Sequence, residues 1–225
     1  MAEIVPPQSL TFIDLFSGCG GFSLGLTKAG LRCMAAIDFN PEAVEVFRAN
    51  FPDVQHALEK NLSTYKPSQL AALIGSDRVD VIVGGPPCQG FSTVRQVDAA
   101  NHGSRVKRDK RRYLFRSFLD YVDHFQPKVE NVLGIQSAAK GAFFTMVQAE
   151  ARRLKYRVHP QVEEAWNLGV PQKRRRQLII GVREDIAGFF ASGLDAAKRA
   201  FAETPTPYTP TLWDAIGDLP SLTAG

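Results

Sequence analysis

The sequence predicts an α/β fold in which a doubly wound, mostly parallel sheet is covered by helices on both faces. Three observations lead there. Short β-branched runs such as Val79-Asp80-Val81-Ile82-Val83 read as buried parallel strands. They alternate with segments of helical spacing, which builds successive βαβ units. The first strand also passes through a glycine cluster straight into a helix, and in open α/β sheets such turns lie at the carboxyl ends of the strands, where ligands bind.

Thr11-Phe12-Ile13-Asp14-Leu15-Phe16 is the first strand, Ser17-Gly18-Cys19-Gly20-Gly21 the turn, and Phe22-Ser23-Leu24-Gly25-Leu26 the start of the helix. Such a turn lets a cofactor lie against bare backbone at a helix N-terminus, although it is not the G-x-G-x-x-G fingerprint and tight turns use glycine too. A second strand, Cys33 to Ile37, ends in Asp38, seventeen positions after Gly21. An acid at that tip can accept hydrogen bonds from both hydroxyls of a cofactor ribose, or can cap the helix that follows Asn40-Pro41. Helical spacing continues from Pro41 to Asn50, Glu59-Lys60-Asn61-Leu62 is a loop at the third strand's tip, and Leu70 to Ile74 marks a helix before the strand at Val79.

That strand delivers Gly84-Gly85-Pro86-Pro87-Cys88-Gln89-Gly90-Phe91-Ser92 to the carboxyl end of the sheet. Two prolines fix φ before the cysteine, and Gly90 admits a close ligand. A thiol held this way is a candidate nucleophile, since it requires only a lowered pKa or a nearby base. Buried packing is the commoner role of a free cysteine, but a packing cysteine does not require these neighbours. From Phe91 to Arg108 the chain is polar and aperiodic, a long loop suited to a lid beside the nucleophile. A helix through Tyr113 to Val122 follows, then Val129-Glu130-Asn131-Val132, a helix around Phe143 to Val147, and strands from Tyr156 and over Gln177 to Val182. Prolines 205, 207, 210 and 220 break the tail into extended and short helical pieces, as in a connection leading out of a domain.

At 225 residues, 44% hydrophobic and 22% charged, the chain suits one soluble globular domain with an ample core. No apolar run approaches the ~20 residues of a membrane span. The first residues, with an early acid and two prolines, do not read as a secretory signal. Cys19, Cys33 and Cys88 form no C-x-x-C pair, which supports neither a disulfide framework nor a metal site and points to a reducing cytoplasm. The net charge is +4, concentrated in Lys107 to Arg112 and Lys173 to Arg176. Basic clusters of this kind neutralise phosphates, although singly they are more often solvated faces.

Taken together and in order, Asp14-Leu15-Phe16-Ser17-Gly18-Cys19-Gly20-Gly21, Gly85 to Ser92, Glu130-Asn131-Val132 and Gln172-Lys173-Arg174-Arg175-Arg176 resemble the C5-cytosine DNA methyltransferases. The resemblance spans nearly the whole chain. It implies a Rossmann-like S-adenosylmethionine-dependent methyltransferase fold, S-adenosyl-L-methionine as cofactor with S-adenosyl-L-homocysteine as product and no metal, and double-stranded DNA as partner. Cys88 would add to C6 of a flipped cytosine, Glu130 would serve N3, and Arg174 and Arg176 would hold the base and the catalytic loop. Phe16, Gly18, Cys19, Gly20 and Gly21 map to the methionine end, Asp38 with Phe39 to the ribose side, Asn61 and Leu62 to the adenine side, and Pro86 and Leu114 to the pocket walls. Gln89, Ser92, Arg95 and Gln172 map to the DNA side. The expected setting is the cytoplasm and nucleoid of a bacterium with a restriction-modification system. A tRNA cytosine-5 methyltransferase and a non-catalytic cofactor- or DNA-binding module are the competing readings.

The sequence departs from that family in four places. Asp38 stands where glutamate is usual, and Asn61 where an aspartate usually meets the adenine. Only Val129 separates Lys128 from Glu130, where a full apolar strand is expected, so either residues from Phe125 onward are recruited, or Glu130 is displaced, or residues are lacking there. No target-recognition region or final motif is found. Residues 1–203 are therefore read as the catalytic and cofactor-binding domain and 204–225 as a linker toward an absent recognition domain, which a second polypeptide could carry, with little or no activity expected from the chain alone.

Overall fold

The computed structural model describes residues 9–86, 114–134, 142–188 and 210–220. Within them, β1 (Thr11–Leu15), α1 (Gly21–Lys28), β2 (Arg32–Asp38), α2 (Pro41–Asn50), β3 (Ala57–Glu59), α3 (Pro67–Ile74) and β4 (Val81–Gly84) follow one another. After residues 87–113 come α4 (Leu114–Phe125), β5 (Val129–Gly134), α5 (Ala142–Arg153), β6 (Tyr156–Glu164), β7 (Arg175–Arg183) and the short α6 (Leu212–Ile216). The seven strands form one sheet in the order β3-β2-β1-β4-β5-β7-β6. β1 to β5 are parallel, and β7 pairs antiparallel with both β5 and β6. This is the predicted doubly wound, mostly parallel architecture.

Local chemistry explains where the elements start. Asn40 caps α2, its Oδ1 accepting from the Ala43 amide at 2.9 Å, and Pro41 occupies the first helical position, where no backbone donor is needed. At the other end of α2, Arg48 donates twice to the carbonyl of Ala57, at 3.2 and 2.7 Å, and so binds the helix to β3.

Strand alternation then sorts side chains to two faces. Ile13, Leu15, Ile37 and Ile82 join Leu70 of α3 and Phe115, Phe118, Tyr121, Val122 and Phe125 of α4 in the larger core, which also takes in Val147, Ala151 and Tyr156. Ala36 and Ala57 pack with Phe47 of α2 on a smaller one. Both faces of the sheet are therefore covered, and the functional groups have to emerge at the strand ends.

Two boundaries that the sequence leaves open are fixed by the structure. β6 runs on through Pro160 to Glu164, although its residues after Val158 have no apolar pattern. It lies at the edge of the sheet, paired only to β7, where one side of the strand has no ladder to complete and a proline is tolerated. β5 begins at Val129 itself, with α4 continuing to Phe125, so no residues from Phe125 onward are recruited into the strand.

Candidate active site and cofactor pocket

The turn after β1 is built from three residues in the left-handed region: Phe16 at φ 59°, Gly18 at 55° and Gly20 at 96°. At Gly20 no side chain is tolerated, because a Cβ would collide with the ring of Phe51 and crowd that of Phe47. Among the described residues, a Cβ at Gly18 or Gly21 would meet nothing within 4 Å, so none of them covers the outer surface of the turn. The turn is tied down at both ends. The Ser17 amide donates to the Ile37 carbonyl at 3.1 Å, and Asn50 Nδ2 to the Cys19 carbonyl at 3.0 Å.

Asp38, at the tip of β2, faces this turn. Its Oδ2 accepts from the Gly18 amide at 2.9 Å and its Oδ1 from the Asn40 amide at 2.9 Å. Each carboxylate oxygen retains a further lone pair for a ligand hydroxyl. The capping role open to Asp38 in the sequence falls to Asn40, which caps α2, while the Asp38 carboxylate orders the residue before that helix and holds the glycine turn. Phe39 beside it is 67% exposed.

At the tip of β3, Asn61 is exposed and its Oδ1 accepts from the Ser63 amide at 2.9 Å, while Leu62 is buried. Pro86 is buried two residues past β4, and half-buried Leu114 opens α4. The structure therefore brings Phe16 to Gly21 together with Asp38, and sets Phe39, Asn61, Leu62 and Pro86 at the same carboxyl end of the sheet. Cys88, Gln89, Ser92 and Arg95 lie outside the described residues, as does the expected lid over 91–108.

One supporting residue was missed. Asp14 in β1 is fully buried, and Ser23 of α1 donates its hydroxyl to Asp14 Oδ2 at 2.7 Å. Burial pushes this carboxyl up to about 7, a rise opposed by the Ser23 bond and reinforced by the charge of Asp38. Its Oδ1 has no partner among the described residues. Asp14 and Ser23 fasten the first turn of α1 to β1, which makes them positioning residues for the glycine turn between them. The signal was available, because a charged residue inside Phe12-Ile13-Asp14-Leu15 has to be satisfied from a neighbouring element.

Glu130 is placed differently from the rest. It is the second residue of β5, 1% exposed, level with Ile82 of β4 on one side and Gly181 of β7 on the other. Neither carboxyl oxygen has a hydrogen-bond partner among the described residues. Burial pushes its pKa up to about 8, and the nearby Gly181 amide offsets only part of that. Arg174 and Arg176 are exposed at the opposite end of β7: Gln177 is level with Gly134, the last residue of β5. Five residues separate Arg176 from the level of Glu130, about 16 Å at about 3.3 Å per residue. The structure does not bring Glu130 and the arginines together. Gln172 is exposed near the arginines, its amide donating to the Val170 carbonyl at 2.7 Å.

Among the described residues, no group of three or more His, Cys, Asp or Glu could hold a metal ion, and no helix is long and apolar enough to cross a membrane.

Residues 10–222 match the family model described as C-5 cytosine-specific DNA methylase. The chain is 37% identical over 221 residues to the type II methyltransferase M1.HphI of Haemophilus parahaemolyticus, covering 97% of this chain and 55% of that one. It is 31% identical over 231 residues to the type II methyltransferase M.AquIA of Picosynechococcus sp., covering 94% of this chain and 89% of that one. Among solved structures, a proposed DNA modification methyltransferase encoded within an E. coli prophage superposes with a TM-score of 0.67 at 29% identity, over 80% of this chain and 48% of the other. The chain spans about half the length of the first curated relatives it matches.

Proposed function

The chain belongs to the C-5 cytosine-specific DNA methylase family, and from that premise we propose that it is the cofactor-binding and catalytic part of an enzyme that methylates C5 of cytosine in double-stranded DNA. The observation that carries the cofactor half is the glycine turn latched to Asp38. S-Adenosyl-L-methionine fits this donor set. Its carboxylate would meet the exposed amides at the start of α1, where the helix dipole favours negative charge. Its ribose hydroxyls would donate to Asp38, its apolar surface would cover Phe39, and Asn61 and Leu62 would border the adenine, with Pro86 and Leu114 as walls. When bound, the cofactor supplies an electrophilic methyl group.

The protein's own groups would prepare the base. Cys88, as its thiolate, would add its sulfur to C6, and the displaced ring electrons would make C5 nucleophilic enough to accept the methyl group that the cofactor supplies. Loss of the C5 proton to a base then lets the sulfur leave and restores the aromatic ring. Arg174 and Arg176, exposed at the same end of the sheet, would supply positive potential to the flipped base and the DNA backbone, with Gln89, Ser92, Arg95 and Gln172 on the DNA side. S-Adenosyl-L-homocysteine would be the product, and the chemistry has no step for a metal. The setting would be the cytoplasm of a bacterium with a restriction-modification system.

Target recognition would come from outside these residues, with 204–225 as the connection. Calorimetry against S-adenosylhomocysteine tests the cofactor half. Duplex DNA carrying 5-fluorocytosine, incubated with S-adenosylmethionine and the recognition region, tests the chemistry: a covalent adduct lost in Cys88→Ser is expected, and no adduct refutes it. The non-catalytic module remains the second reading because of where Glu130 lies.

A further inference from the structure

The amino end of β5 is fastened on both sides. Toward β4, the Lys128 and Val129 amides donate to the Asp80 carbonyl at 2.8 and 3.2 Å, and Lys128 Nζ pairs with Asp80 Oδ1 at 2.8 Å. Toward β6 and β7, the Arg183 amide donates to the Lys128 carbonyl at 3.1 Å, Arg183 Nη1 to the Gln126 carbonyl at 2.7 Å, and the buried Tyr156 hydroxyl to the Pro127 carbonyl at 2.6 Å. Upstream there is no slack, because α4 runs to Phe125, which is fully buried, and Gln126 turns the chain at φ 46°. One residue, Val129, is left between this anchor and Glu130.

The anchor therefore decides how far along the sheet Glu130 can stand. It stands level with Ile82, whereas the loop that carries Cys88 leaves the sheet at Gly85, three residues further on. Three strand residues span about 10 Å. To close that gap by sliding, β5 would have to give up all the bonds just named. In place of a ligand, the Glu130 carboxyl meets Gly181, where even a Cβ would collide with it.

We infer that Glu130 in this chain is a structural carboxyl held inside the sheet, and that the length of the segment between Lys128 and Glu130 decides whether the site has its acid. This rests on the reading that a base is turned in at the carboxyl end of the sheet. A general acid contributes about 100-fold or more. Held where it is, Glu130 contributes none of it, and three added residues would set it level with Gly85.

The test compares Glu130→Gln and Glu130→Leu in the chain as it stands and in a variant with Val-Phe-Val inserted after Val129, with the recognition region supplied. In the unaltered chain, both substitutions are expected to raise the melting temperature, to leave S-adenosylhomocysteine affinity unchanged, and to leave any methyl transfer within about twofold. In the lengthened chain, transfer is expected to rise about 100-fold or more, and Glu130→Gln to remove that gain. Either a drop of that size on Glu130→Gln in the unaltered chain, or a lower melting temperature for Glu130→Leu there, overturns the inference. If the lengthened chain does not fold, the unaltered-chain melting temperatures still decide. Failure of the unaltered chain to bind S-adenosylhomocysteine would count against the proposed function instead, so the two failures are distinguishable.

Discussion

The Gly18 amide donates to Asp38 Oδ2 at 2.9 Å, closing the tip of β2 onto the turn that follows β1. One carboxylate thus preorganises the backbone against which a cofactor would lie and presents its remaining lone pairs to that cofactor. Asp38→Ala removes both contributions. Charge-assisted hydrogen bonds are worth about 1.5–3 kcal/mol, so S-adenosylhomocysteine affinity should fall by about 10- to 100-fold. Asp38→Asn, which keeps an acceptor for Gly18, should lose less. Calorimetric titration of the two variants checks the order.

Gly18 and Gly20 have the same type of backbone conformation but opposite surroundings, which separates folding from binding. At Gly20, alanine adds a Cβ into the rings of Phe51 and Phe47 as well as straining φ 96°, and a loss of about 2–4 kcal/mol is expected. At Gly18 the Cβ enters open space, so only the cost of φ 55° remains, about 1–2 kcal/mol. That open space is where the cofactor would lie. Gly18→Ala should therefore melt close to the parent protein yet bind S-adenosylhomocysteine poorly, whereas Gly20→Ala should melt well below it. Thermal unfolding with and without the ligand distinguishes the two.

Two buried carboxyls give the fold a pH dependence whose sign is fixed. Asp14 holds its proton up to about pH 7 in the folded chain but loses it near 3.8 when unfolded, and Glu130 holds its proton up to about 8 against 4.5. Between these limits the folded state binds more protons than the unfolded one, so stability is full below about pH 4 and falls as pH rises toward 8. Asp14→Asn should remove the part of the slope between about pH 4 and 7, and Glu130→Gln the part between about 4.5 and 8, each leaving the other carboxyl's contribution in place. Melting temperatures measured from pH 5 to 9 test this, and a profile that rises over the same range would contradict it.

How much of this could be read beforehand depended on range. The glycine turn, Asp38 and the strand leading to Gly84 are local patterns in which φ preference, strand alternation and spacing all act within a few residues, and the structure places them as those patterns indicate. The Asp14–Ser23 bond spans nine residues and was visible only as an acid in an apolar run. Asn50 on Cys19 spans 31 and left no trace in the sequence. Glu130 lies between these cases. The sequence showed a short strand and three outcomes for it, and the choice was made by Tyr156, Asp80 and Arg183, which hold the strand's start from 29 to 57 residues away along the chain.

Those distant anchors are themselves open to test, and Tyr156 is the most direct. Its side chain is fully buried in the larger core, and its hydroxyl has one described acceptor, the Pro127 carbonyl at 2.6 Å. Tyr156→Phe keeps the packing and leaves that carbonyl without its donor, which should cost about 1–3 kcal/mol. The loss should also be local. Native-state hydrogen exchange should quicken first at the Lys128 and Val129 amides, which bond to Asp80, while the amides of β1 and β2 keep the global opening energy. Uniform acceleration across the sheet would mean that Tyr156 supports the whole core and that the position of β5 is set elsewhere. Selective acceleration would show that a single hydroxyl, 26 residues beyond Glu130, helps decide where that carboxyl stands.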